Sequence, residues 1–129
     1  MAVIRREDVG RWLRAYEKAW RTPGTSSIAE LFTPEVRYRP SPWSEPLEGL
    51  EELAGFWESE RDGPHERFSM DTDVVALDND TIVVRVHVEY REPVRHWRNL
   101  WVLRFAAGGR CAIFEEWPFA PGQSDGHGD

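Results

Sequence analysis

The stretch TIVVRVHVEY, residues 81–90, determines the fold class of this chain. In its second half the polar residues Arg85, His87 and Glu89 alternate with apolar ones. Successive side chains of a β-strand point to opposite faces of the sheet, so this alternation predicts a strand with one apolar and one polar face. Three further segments show the same period of two and are separated by turn residues: 67–77, 94–105 and 110–117. Together the four segments predict an antiparallel meander.

Three helices are predicted ahead of the meander. Segments 8–21 and 49–61 carry apolar residues at helical spacing, and Asp8 is the predicted N-cap of the first. A short helix lies between them, with a capping box at Ser27 and an end imposed by Pro34. Helices followed by an antiparallel meander predict an α+β fold.

The remaining segments complete the predicted domain. A short strand, residues 36–41, leads into the proline-rich loop PSPWSEP at 40–46, whose prolines restrict its backbone. We assign residues 1–119 to one domain, a cone-shaped curved antiparallel sheet that encloses a pocket with the three N-terminal helices. The Gly- and Asp-rich segment 120–129 is predicted to be a disordered tail.

The composition limits the classes of function. A chain of 129 residues with a formal net charge of -7 lacks the basic surface that nucleic acids or anionic lipids require. Cys111 is the single cysteine, so no internal disulfide can form, and no stretch has the pattern of a signal peptide or a membrane span. We therefore expect a cytoplasmic protein without nucleic-acid or membrane partners. Seven tryptophans are many for this length, and they make good pocket walls as well as core.

Pairing the strands assigns the side chains to faces. A tight hairpin over residues 91–94 places Val86 opposite Asn99, and a hairpin over 106–109 places Asn99 opposite Glu116. Asn99 and Glu116 then become the only strongly polar members of an apolar concave face. The predicted members of this face are Val84, Val86, Val88, Tyr90, Trp97, Asn99, Trp101, Leu103, Phe114 and Glu116.

Four stretches resemble the nuclear transport factor 2 superfamily in its bacterial SnoaL-like branch. They are WLRAYEKAW at 12–20, LFTPEVRY at 31–38, PLEG at 46–49 and FEEW at 114–117. The resemblance extends over about residues 8–119 in the order of elements of that family. It implies the cone-shaped fold, and it leaves the function open because the superfamily includes isomerases, cyclases, epoxide hydrolases and transport factors.

The resemblance also implies roles for individual residues. Tyr38 is similar to the pocket tyrosine of the limonene epoxide hydrolase branch, and Glu116 lies where that branch has an essential acid on the last strand. The second acid and the arginine of that branch would lie on the strand from residue 81, where this chain has Val86 and Val88. The arrangement of two carboxylates is therefore absent, and activation of water in that manner is not expected.

Glu116 and Tyr38 are the predicted catalytic residues. A carboxylate among tryptophans has a raised pKa, which suits a general acid or base, and a tyrosine hydroxyl can donate to a ligand oxygen. The alternatives are a structural carboxylate held by Asn99 or an indole, and a tyrosine that only packs. The predicted ligand-binding residues are Asn99, Trp43, Trp57, Trp97, Trp101, Phe114, Tyr90 and Trp20.

The remaining histidine, acidic and cysteine side chains do not indicate a metal site, a cofactor site or a catalytic nucleophile. His87 and Glu89 fall on the outer face of the sheet, with Glu89 opposite His96, where cross-strand charge pairing explains them better than a metal site. Cys111 is also expected on the outer face, without an activating base. We expect no cofactor.

Two functions remain open at this point. The first is a binding protein for a small apolar or aromatic molecule, with cofactor-free acid–base catalysis of the isomerase, cyclase or hydrolase type as its extension. The alternative is a non-catalytic interaction or dimerisation module that uses the outer sheet face. The outer face is compatible with a polar homodimer interface but does not by itself indicate one, because apolar and charged side chains are mixed on it. Its members are Leu100, Val102, Arg85, His87, Glu89, Arg98 and Arg104.

Overall fold

The computed structural model describes residues 3–60, 67–91 and 93–128. The helices are α1 (Arg6–Arg21), α2 (Ile28–Leu31) and α3 (Gly49–Glu60). The strands are β1 (Phe32–Arg39), β2 (Leu47–Glu48), β3 (Phe68–Asp78), β4 (Thr81–Arg91), β5 (Val94–Phe105) and β6 (Cys111–Phe119). They form one curved, unclosed sheet in the order β2-β1-β6-β5-β4-β3, which confirms the predicted α+β class.

Helix α1 begins earlier than predicted. Asp8 is therefore not its N-cap but lies in its first turn, where the carboxylate accepts the backbone N–H of Arg5 at 3.2 Å. The helix ends at Arg21, and the Thr22 hydroxyl then donates to the Lys18 carbonyl at 2.6 Å. The predicted apolar side of α1 is buried, and its buried residues are Val9, Trp12, Leu13, Tyr16 and Ala19.

The chain passes directly from α2 into strand β1. The predicted capping box at Ser27 does not form, because the Ser27 side chain makes no cap hydrogen bond. The predicted helix end at Pro34 and strand start at residue 36 are both too late, since β1 already begins at Phe32. Proline has no N–H for the ladder, which accounts for the irregular pairing of β1 between Phe32 and Arg37.

Helix α3 begins where it was predicted. Gly49 has a φ of 87°, a conformation that strains residues with a side chain, so glycine suits this junction between β2 and α3. The predicted last residue, Arg61, lies outside the described residues.

One strand pair departs from the predicted antiparallel sheet. Strand β1 runs parallel to β6, whereas β3–β4, β4–β5, β5–β6 and β1–β2 are antiparallel. A parallel pair needs a long crossover, and the chain between β1 and β6 supplies it.

The predicted register is right in one hairpin and wrong in the next. Val86 faces Asn99 across β4–β5 as predicted. Across β5–β6, however, Glu116 faces Trp101 and not Asn99, an offset of two residues. Because the side-chain period of a strand is two, this offset leaves Glu116 on the predicted concave face.

A bulge next to the β5–β6 turn corrects the position of Cys111. Arg104 pairs with Ile113 and Phe105 with Cys111, so one extra residue on β6 lies between these pairs. The extra residue shifts the alternation of side chains on β6 by one position. Cys111 is therefore fully buried instead of lying on the outer face. Burial raises the pKa of its thiol far above the usual range, which excludes a reactive thiolate at neutral pH.

The core lies between the concave face of the sheet and the helices. Its largest fully buried side chains are Trp57, Trp101, Phe32, Phe105 and Phe114. Burial of an aromatic side chain stabilises a fold by about 1.5–3 kcal/mol, so these rings account for much of the packing energy. In the part of the chain that is described, no helix has both the length and the apolar character needed to cross a bilayer.

Candidate functional site

A cavity of about 410 Å³ lies between the concave face and the helices. Its wall includes residues of α1, β1, α3, β3, β4, β5 and β6, so every layer of the fold contributes. This volume is within the usual range for small-molecule sites. The predicted site residues that line it are Trp20, Tyr38, Tyr90, Trp97, Asn99, Trp101 and Glu116.

Three predicted ligand-binding residues lie elsewhere. Trp43, in the proline-rich loop, is 98% exposed and is not part of the cavity wall. Trp57 and Phe114 are fully buried and are not part of the cavity wall. Trp57 packs edge-on against Tyr16, and Phe114 stacks on Tyr38, so both are core residues behind the wall.

The Glu116 carboxylate is held by two neighbours on β5. The Trp101 indole Nε1–H donates to Glu116 Oε2 at 2.7 Å, and Asn99 Nδ2 lies 3.4 Å from the same oxygen. The backbone N–H of Phe119 donates to Asn99 Oδ1 at 3.4 Å, which orients the amide nitrogen toward Glu116. Within the described residues, Oε1 of Glu116 accepts no hydrogen bond.

The surroundings of Glu116 shift its ionisation. Burial raises its pKa to about 7, and the nearby Glu60 carboxylate adds to this, while the Trp101 N–H opposes it by stabilising the charged form. A carboxyl group with this pKa is present in both protonation states at neutral pH. It can therefore accept or donate a proton there.

Tyr38 is a buried tyrosine whose ring lies flat on Phe114, with ring centroids 4.4 Å apart. Burial raises the pKa of its hydroxyl well above the usual value, and the neighbouring Tyr16 and Glu116 add to this effect. The hydroxyl therefore stays protonated and remains a hydrogen-bond donor. Both Tyr38 and Glu116 are on the cavity wall, but within the described residues no hydrogen bond joins them.

Sequence reasoning missed four polar residues of the wall: Tyr16, Ser44, Glu60 and Arg95. The sequence could have placed Arg95 on the concave face, because Arg95 precedes Trp97 by two residues and the side chains of a strand alternate between its faces. The statement that Asn99 and Glu116 are the only strongly polar residues of that face is therefore wrong. Glu60 gives no such signal, since the direction of a side chain near a helix end depends on how the helix docks.

The outer face carries the predicted cross-strand pairs. Glu89 faces His96 and His87 faces Arg98, as the register predicted. His96 Nδ1 lies 4.0 Å from Glu89 Oε2, and the rings of His87 and His96 are 6.1 Å apart. Across the described ranges, no group of three or more side chains of the metal-binding types is close enough to hold a metal ion.

Comparisons with known proteins give a family and a fold. The family described as "SnoaL-like domain" matches residues 12–114. A comparison with functionally curated proteins found no significant match.

Similar solved structures share the architecture. A proposed SnoaL-like polyketide cyclase from Jannaschia sp. CCS1 has a TM-score of 0.70 at 18% identity, over 86% of this chain and 84% of that one. An epoxide hydrolase of the LEH-like type from M. tuberculosis has a TM-score of 0.64 at 10% identity, over 88% and 84%. A proposed ketosteroid isomerase from Kribbella flavida has a TM-score of 0.64 at 16% identity, over 95% and 88%.

At sequence identities this low, the similarity shows a shared fold. The activities named for those proteins do not carry over to this chain. The family match covers most of the chain. Apart from the short strand β2, the order of helices and strands in the structure is the one that the sequence predicted. The chain therefore belongs to the SnoaL-like domain family.

Proposed function

We propose that this chain binds a small apolar or aromatic molecule in its cavity and acts on it by cofactor-free acid–base catalysis. Glu116 accepts and returns the proton, and Tyr38 and Asn99 are polar anchors for ligand oxygens. Trp20, Tyr90, Trp97 and Trp101 provide apolar walls. The observation that carries the proposal is a carboxylate on an aromatic cavity wall, held through one oxygen by Trp101 at 2.7 Å.

The geometry supports this function over a purely structural carboxylate. The described hydrogen bonds of Glu116 end on Oε2, and Oε1 is not among the buried side-chain atoms that lack a partner, so Oε1 is accessible and can contact a ligand in the cavity. The similar structures include a proposed cyclase and a proposed isomerase. Proton removal from a carbon next to a carbonyl is a step common to both reaction classes, and a carboxylate with a pKa near neutrality suits it.

Binding is tested with naphthalene and 2-naphthol. A ligand of the folded state raises the melting temperature by mass action, so both compounds are expected to raise that of the wild type. Glu116→Gln should weaken 2-naphthol about tenfold, since a charge-assisted hydrogen bond is lost, and should leave naphthalene unchanged. Glu115→Gln, one residue away on the outer face, is the matched control. If neither compound shifts the melting temperature, the proposal fails.

Catalysis is tested with a bicyclic ketone, 1-tetralone, in D₂O. The wild type is expected to accelerate exchange of the protons next to the carbonyl, and Glu116→Gln should lower the rate by about 100-fold or more. The wild-type rate should rise as the pH passes through about 7, because a base must be deprotonated to act. Equal exchange rates for wild type and Glu116→Gln would rule out the catalytic role and leave binding.

A second candidate is homodimerisation through the outer sheet face. Ile113, Trp117 and Phe119 are exposed there at 39%, 38% and 48%. The same face carries charges of both signs, such as Arg104 and Glu89, so two copies related by a twofold axis can pair opposite charges.

Sedimentation velocity over a range of concentrations tests this second candidate. A dimer is expected for the wild type, with a shift toward monomer in Trp117→Ser, because the substitution removes apolar contact area. Trp43→Ser is the matched control, since Trp43 is more exposed and lies in the loop between β1 and β2 and not on a strand of the sheet. A monomeric wild type at all concentrations would exclude the interface.

A further inference from the structure

A second cavity, the outer cavity, has a volume of about 490 Å³ and lies on the outer face of the sheet. Strands β4 and β5 form one side of it, and the end of β6 with the residues that follow forms the other. The described residues that line it are His87, His96, Arg98, Phe119, Ala120 and Pro121. The first three carry nitrogen donors and the last three are apolar, so the wall suits a ligand with an anionic end and an apolar end.

The strand register brings donors and an aromatic ring into one row. His87 faces Arg98 across β4–β5, and Arg98 faces Phe119 across β5–β6. Side chains directly opposite each other on one face of a sheet are neighbours. Adjacent strands lie about 4.8 Å apart, so the backbones of His87 and Phe119 are about 10 Å apart. A benzene ring that bears a single anionic group spans a comparable length.

His96 adds a second imidazole to the basic end of this row. Its ring centre lies 6.1 Å from that of His87, with an angle of 29° between the ring planes. Its Nδ1 lies 4.0 Å from Glu89 Oε2, so Nε2 is the ring nitrogen left for a ligand. The two imidazoles and the guanidinium of Arg98 provide three donor groups, one for each terminal oxygen of a phosphate monoester.

The charge of the outer cavity also favours an anion. None of the described residues that line it is acidic, and the neighbouring acids are Glu89 and Asp71, which faces His87 across β3–β4. Within the described residues Arg98 has no ion-pair partner, whereas Arg85 on the same face lies 3.5 Å from Asp73. The guanidinium of Arg98 can therefore pair with the anionic group of a ligand without displacing a described carboxylate.

We propose that the outer cavity binds an aromatic phosphate monoester. Arg98, His87 and His96 hold the phosphate group, and the ring packs on Phe119 beside Pro121. The outer cavity shares no lining residue with the cavity of Glu116, so this inference does not depend on the function proposed for that cavity.

The test is a titration of the nitrogen-15-labelled protein with phenyl phosphate, followed through the backbone amide signals in NMR spectra. The matched ligands are inorganic phosphate, which lacks the ring, and phenol, which lacks the charged group. Phenyl phosphate is expected to bind about tenfold or more tightly than either, because charge-assisted hydrogen bonds and ring contact both contribute. The shifted signals should include those of His87, Arg98 and Phe119.

Three variants assign the binding to named side chains. Arg98→Met keeps an apolar side chain without the guanidinium and should weaken phenyl phosphate about tenfold or more. Phe119→Ser should lower the affinity for phenyl phosphate to that for inorganic phosphate. Arg85→Met is the matched control, because Arg85 lies on the outer face but is not part of the cavity wall, and its affinity should equal that of the wild type.

The titrations are repeated in Trp117→Ser, so that a dimer through the outer face does not cover the cavity. Trp117 is not part of the wall. No binding of phenyl phosphate in either background would overturn the inference, as would equal affinities for phenyl phosphate and inorganic phosphate. An unchanged affinity in Arg98→Met, or shifted signals confined to the cavity of Glu116, would also overturn it.

Discussion

The Glu116 carboxyl ionises at a pKa of about 7 in the folded chain, against an ordinary value of 4.5. Below pH 4.5 the group is protonated in both the folded and the unfolded chain, and it does not affect stability. Between pH 4.5 and 7 the unfolded chain binds fewer protons, so the free energy of unfolding falls as the pH rises. Above pH 7 the Glu116 carboxylate is charged in both states and lowers the free energy of unfolding by its full amount.

Glu116→Gln is therefore expected to stabilise the protein at high pH. Glutamine carries no charge to bury, and its side-chain oxygen still accepts from Trp101. At pH 8 the variant should exceed the wild type in free energy of unfolding by on the order of 1–3 kcal/mol, because one pKa unit corresponds to about 1.4 kcal/mol. At pH 5 the difference should be much smaller.

Urea unfolding at the two pH values measures this difference. Glu115→Gln serves as the control, because Glu115 lies on the same strand and is not part of the cavity wall. A Glu116→Gln effect that does not change with pH would contradict the burial of an ionisable group at this position.

At the scale of elements, the alternation of residues within a strand predicted correctly which side chains share a face. The register between neighbouring strands was predicted less accurately. The faces of Asn99, Trp101 and Glu116 followed from the period of two, and Arg95 would have followed from the same rule. The extra residue that buries Cys111 could not be predicted, because a bulge depends on how two strands meet and leaves no local pattern.

The ends of elements were predictable only where a residue has a strong backbone preference. Gly49 marks the start of α3 through its positive φ. Pro34 predicts a helix end, but it lies within β1, where tertiary pairing with β6 overrides the local signal. The prolines around Trp43 predict a stiff loop, but stiffness does not determine the side to which the tip points.

At the scale of the whole molecule, the sequence was sufficient for the family and insufficient for the cavity. The order of elements and short motifs predicted a SnoaL-like domain, and the family match confirms it. Trp57 and Trp101 could not be distinguished in advance as core and wall, because that depends on how the helices dock on the sheet. The disordered tail at 120–129 stays a prediction, as does the division at residue 119.

The central claim is that the Glu116 carboxyl lies in a sheltered cavity that a ligand can enter. Carbon-13 NMR of the labelled side-chain carboxyl, assigned with Glu116→Gln, measures this directly as a function of pH with and without 2-naphthol. We predict a titration midpoint near pH 7 in the free protein and a displaced midpoint when 2-naphthol is present. A midpoint near pH 4.5 that 2-naphthol does not change would contradict the claim.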